Sequence, residues 1–151
     1  MAERLLISGD ALWEHGFGVV LPEPPQNFDD ARATLERIGA LDIRAVIPGH
    51  GCPFSDAKGA LTRAHARLDA LVASPQRGAR SVLKTMLAYE LLTGARFGLE
   101  ALPDHLDGIE IYREYRTKYL GCSAAELASA LVCELVRADA GRVVAGELVA
   151  G

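Results

Sequence analysis

The 151-residue sequence has no apolar run approaching the length needed to cross a membrane. Its opening, MAERLLISG, puts Glu3 and Arg4 ahead of only three apolar residues, far short of a signal-peptide core. Cysteine is scarce: Cys52, Cys122 and Cys133 are odd in number and form no CxxC pair, which argues against a disulfide framework and fits a reducing cytoplasm. There is no basic surplus either. Sixteen Lys and Arg stand against twenty Asp and Glu for a net charge of -4, so no overall positive field recruits nucleic acid or anionic lipid. Internal repeats and low-complexity tracts are also missing. What is present is 50% hydrophobic residues, enough for a real core in one domain or one domain with an appendage. The expectation is a soluble, unexported, cytoplasmic protein.

Residues 4–8 (RLLIS) and 18–21 (GVVL) read as short buried strands, separated by a glycine-rich loop. After the breaker segment PEPPQN, Phe28, Ala31, Leu35 and Ile38 recur at helical spacing, with Asn27 as N-cap and Gly39 near the end. The β-branched run IRAVIP, residues 43–48, follows as a strand that Pro48 and Gly49 end just before His50. From about Asp56, Leu61, Ala64, Leu68 and Leu71 share one helical face, while Lys58, Arg63, Arg67 and Asp69 fall on others. The stretch 73–81, ASPQRGARS, is the best candidate boundary, dividing the chain into residues 1–73 and 74–151. Beyond it Leu83, Leu87 and Leu91 suggest one helix and Tyr112, Tyr115 and Tyr119 a second. Ser123 to Glu126 is a capping box opening a third, and GRVVAGELVA reads as a closing hairpin around Gly146.

Two strands thus end in potential metal ligands, Asp10 after LLISG and His50 between two glycines in IPGHG. A carboxylate and an imidazole at neighbouring strand ends can bind Zn²⁺, Mn²⁺ or Fe, and adjacent glycines let the backbone approach an ion closely. Spacing alone equally permits Asp10 as a turn former and His50 as a loop residue. His15, five residues beyond Asp10, is a candidate to face substrate or support the ligands, against a solvated loop histidine. Cys52 suits an ordinary turn and His65 an exposed helix position. Trp13 and Phe17 read as core rather than pocket wall.

LLISGDALWEHGFG followed, after one amphipathic helix, by AVIPGHGCPFSD resembles the second half of the metallo-β-lactamase superfamily, especially its glyoxalase II-like hydrolases. The resemblance covers residues 4–72. It implies an α/β fold: the carboxyl-terminal part of an αββα metallo-β-lactamase sandwich, followed by a mostly helical, winged-helix-like tail. It implies that Asp10 bridges two divalent metal ions, zinc first with manganese or iron as alternatives, and that His50 is a ligand to one of them. In such enzymes the metals polarise a carbonyl or phosphoryl oxygen and lower the pKa of a bridging water to about 7.

The family's HxHxDH motif lies upstream of the GD motif, and the nine residues before Asp10 contain no histidine. The sequence therefore reads as the carboxyl-terminal segment of a metal-dependent hydrolase of thioesters or small esters, inactive without the amino-terminal half. The other reading is a non-catalytic binding or dimerisation module, or the remnant of a nuclease-like member. The helix from Ser123 to Arg137 carries Glu126 and Glu134 against Arg137, a balance that argues against nucleic acid. Arg113, Arg116 and Lys118 interleave with tyrosines as a solvated face over an inward-packed one. An unpaired sheet edge and an apolar face predict self-association.

Overall fold

The computed structural model describes residues 4–22 and 26–151. Among the described residues it is an α/β structure of six α-helices and two small sheets, and the chain divides into two compact units, Met1–Gly78 and Ala79–Gly151. Among the described residues no single helix is long and apolar enough to cross a membrane.

In the first unit, β1 (Leu5–Gly9) and β2 (Ala45–Pro48) pair in parallel, joined through α1 (Gln26–Gly39), with Leu6 opposite Val46 and Ile7 opposite Ile47. The alternation of a strand sends Leu6 and Val46 into a core with Leu35 and Ile38 of α1 and with Ala57, Ala60, Ala64 and Leu68 of α2 (Ala57–Ala73). The Asp56 side chain caps α2 by accepting from the Gly59 N–H. Two expectations fail here. Residues 18–21 form no strand, because the Gly18 N–H is turned back onto the Asp10 carbonyl (2.7 Å) instead of joining a ladder. Asn27 is inside α1 and not at its N-cap, its side-chain amide donating to the Leu21 carbonyl (3.1 Å). Of the PEPPQN segment, residues 23–25 lie outside the described residues.

The 73–81 stretch is helical on both sides of Ser74. Only Ser74 interrupts the helices, and α3 (Pro75–Leu92) starts on Pro75, where a missing N–H and a fixed φ suit a first helical position. In the second unit α3 is followed by β3 (Phe97–Gly98), α4 (Leu102–Gly108), α5 (Glu110–Tyr115), a π-helical turn at Arg116–Leu120, α6 (Ala124–Arg137), β4 (Gly141–Val144) and β5 (Glu147–Ala150). The three strands form an antiparallel sheet in the order β3-β5-β4. Leu83, Leu87 and Leu91 of α3, Leu102 and Leu106 of α4 and Leu127, Leu131 and Leu135 of α6 fill one core, which Tyr112, Tyr115 and Leu148 complete. The capping box at Ser123 and Glu126 is formed in full.

Candidate functional site

Asp10 and His50 are forty residues apart in sequence, yet the His50 Nδ1 lies 3.1 Å from the Asp10 Oδ1. Parallel pairing of β1 with β2 brings the two strand ends side by side, with Gly9 opposite Pro48. The Gly49 N–H then donates to the Gly9 carbonyl (2.8 Å), and the turn carrying His50 is closed by reciprocal backbone bonds between Val46 and Phe54. Gly49 must be glycine for this approach: a Cβ there would stand 2.8 Å from the Asp10 Oδ1 and 3.0 Å from the Gly9 carbonyl carbon. The Asp10 and His50 side chains are 64% and 59% exposed, and such solvated ion pairs contribute only about 0–1 kcal/mol. Their convergence is therefore set by the backbone, not by their own attraction.

The loop from Asp10 to Gly18 is closed on itself by the Trp13–Gly16 backbone pair and by the Gly18-to-Asp10 bond. Two arginines of α2, one turn apart, tie it down from outside. The Arg63 Nε donates to the Glu14 carbonyl (2.8 Å), and the Arg67 Nη1 donates to the Phe17 carbonyl (2.9 Å). Burial holds the Arg67 guanidinium below its ordinary pKa. Trp13 is not core: it is half-buried, its indole N–H reaches the Gly9 carbonyl (3.2 Å), and its ring lies 5.0 Å from that of His50. Phe17 is core, as expected.

The other candidates stand apart from this pair. His15 is exposed, and its nearest charged partner is Glu14 at 3.9 Å. Cys52 is an exposed free thiol and His65 is half-buried on α2. His105 belongs to the second unit, where its Nε2 meets a Glu90 carboxylate oxygen at 2.8 Å while the other oxygen accepts from the Tyr112 hydroxyl at 3.1 Å. Burial and, after it, the Glu90 charge push the Tyr112 hydroxyl far above its ordinary pKa, and the trio is a polar tie at the edge of a core, with His105 and Glu90 half-buried.

In kind and spacing, Asp10 and His50 suit one divalent cation. Two donors on a tetrahedral ion with bonds of about 2.1 Å stand about 3.4 Å apart, close to the observed separation. In number they fall short. Among the described residues no group of three His, Cys, Asp or Glu is placed to hold a metal. No family model matches the chain, and no curated protein matches it.

The arginine clamp and the indole beside His50 were not legible in the pattern. Arg63 and Arg67 lie off the apolar stripe of α2, where arginine ordinarily means solvent. The only sequence signal is their four-residue spacing, which puts both on one side of the helix.

Proposed function

We propose that this chain is part of a metal-dependent hydrolase of the metallo-β-lactamase kind, acting on a thioester or small ester. The observation that carries the reading is the 3.1 Å approach of Asp10 and His50 at the ends of adjacent parallel strands. The β1-α1-β2-α2 run supports a place as the carboxyl-terminal part of an αββα sandwich. The order of α3 to β5, helices closed by a hairpin, supports a winged-helix-like tail.

When bound, divalent ions would supply Lewis-acid polarisation and water activation at neutral pH. The chain's own contribution is positional. Asp10 offers an anionic oxygen, His50 offers a ring nitrogen beside it, and the glycine turns present both to solvent without intervening side chains. A carboxylate has two oxygens and can serve two cations, which neither glutamine nor serine can do. Asp10 and His50 are the two donors that the described residues bring together at this site. In the hydrolase reading the remaining ligands come from outside this set.

Sub-stoichiometric Mn²⁺ added to the ¹⁵N-labelled chain tests the assignment. Paramagnetic broadening is expected at the amides of Gly9 to Ala11 and Gly49 to Gly51, and Asp10→Ala should remove it. Broadening centred elsewhere, or unchanged in that variant, would reject Asp10 and His50 as ligands.

A further inference from the structure

A cleft of about 200 Å³ lies beside Asp10, between residues 17–20 and α1. Phe17 and Leu35 line it at 3% and 2% exposure; Val20, Ala31 and Thr34 are half-buried, and Asp10 and Val19 are exposed at its rim. Thr34 has the one side-chain donor among these residues, and its hydroxyl already donates to the Asp30 carbonyl (2.8 Å). The interior thus has no free side-chain donor for a polar group, and burying an unpaired one there would be costly. The Asp10 carboxylate also repels an anion.

Size narrows the occupant further. An apolar cavity of about 150 Å³ holds benzene, so a cleft of this volume takes an aliphatic chain of about six carbons. The cleft and the carboxylate form one continuous site because Gly18 packs directly on Asp10. A Cβ at position 18 would lie 2.8 Å from the Asp10 Cβ.

We propose that this cleft binds the short, uncharged aliphatic chain of a neutral ester or thioester. The ligand's hydrocarbon would lie against Phe17, Val20 and Leu35, with its ester end left at the solvent-exposed mouth of the cleft. Calling this ligand a substrate rests on the hydrolase reading above; binding of the chain rests on the cleft alone.

The test follows the methyl resonances of Val20, Ala31 and Leu35 during titration with methyl hexanoate in the absence of metal. Saturable shifts are expected, weakening about fourfold for each methylene removed from the probe. Sodium hexanoate should bind about tenfold more weakly at neutral pH, and Asp10→Asn should narrow that gap. Ala31→Leu fills the cleft and should abolish the shifts; Thr34→Leu does the same from the next turn of α1 should the first variant fold poorly. No saturable shift, or binding that both folded filling variants retain, would overturn the proposal. Mn²⁺ broadening at Asp10 and His50 without probe binding would sink the cleft and leave the metal reading standing, and the reverse result would do the opposite.

Discussion

The Arg67 guanidinium lies over the Phe17 ring, 4.9 Å from its centroid, while its Nη1 donates to the carbonyl of the same residue. One side chain of α2 thus fixes both the ring and the backbone of the segment that leads away from Asp10. Arg67→Met keeps the aliphatic contact but leaves the Phe17 carbonyl without this donor. The expected loss is about 1–2 kcal/mol, at the low end for a charged hydrogen bond because the group is only half-buried. Amide exchange should quicken at Gly16 to Gly18, whereas Leu127 to Leu135 of α6 should be unaffected. Equal loosening of both regions would mean that Arg67 supports the fold generally and not this loop.

Gly49→Ala addresses the centre itself. The added methyl would meet the Asp10 Oδ1 and the Gly9 backbone, which have little room to retreat because the Gly49 N–H is bonded to the Gly9 carbonyl. The variant is expected to fold, since both residues are at the surface, and to separate Asp10 from His50. Loss of the cross-peaks between the Trp13 and His50 rings is the readout. Retention of those cross-peaks with unchanged Mn²⁺ broadening would show that the close approach is not needed.

The capping box makes the stability of α6 depend on pH. The Ser123 N–H (2.7 Å) and, after it, the Ser123 hydroxyl (2.8 Å) donate to the Glu126 carboxylate and hold its pKa below the ordinary carboxylate value. A carboxylate depressed in the folded state contributes stability that is fully present above its unfolded pKa of about 4.3 and is lost as pH falls through the lower folded value. Between pH 7 and pH 3 the native chain should therefore lose more thermal stability than the Glu126→Gln variant, whose amide does not titrate. Ser123→Ala should cost about 1 kcal/mol at pH 7. Parallel pH profiles for the native chain and the Glu126→Gln variant would contradict the linkage.

Legibility in the sequence followed the range of the forces involved. Ser123 with Glu126 and the turn at Ala145 and Gly146 are set by neighbours within four residues, and both appear where the pattern puts them. The meeting of Asp10 with His50 is long-range but follows from two strands pairing in parallel register, and a resemblance carrying both motifs anticipated it. The failures came where a local signal had two physical meanings. GVVL at 18–21 reads as a strand but is a chain segment folded back onto Asp10, and Asn27 reads as an N-cap but lies inside α1. The hold of Arg67 on Phe17 leaves no mark on hydrophobic periodicity, because the half-buried side chain serves a backbone carbonyl fifty residues away.

The sheet of the first unit carries a consequence for the chain in solution. Parallel sheets are ordinarily covered on both faces. Here Leu6 and Val46 face the core, while Leu5, Ile7 and Ile47 are 47%, 76% and 37% exposed, and among the described residues β1 pairs with β2 alone. Burying these three side chains against a like surface would return about 1.5–3 kcal/mol each at most. The loss of translational and rotational freedom, about 4 kcal/mol or more, offsets much of this. The 151-residue chain is therefore expected to self-associate weakly, with a dissociation constant of about 0.2 mM or weaker. Sedimentation velocity at concentrations up to and beyond that value should show a concentration-dependent shift, and Ile7→Lys should hold the chain monomeric without disturbing the Trp13–His50 cross-peaks. The same preparation should release no thiol from an acylglutathione with added Zn²⁺, Mn²⁺ or Fe²⁺. A catalytic zinc needs three protein ligands, and on the proposed reading Asp10 and His50 would be two of them. A monodisperse monomer that retains two equivalents of metal and turns the thioester over would show that other residues make the site.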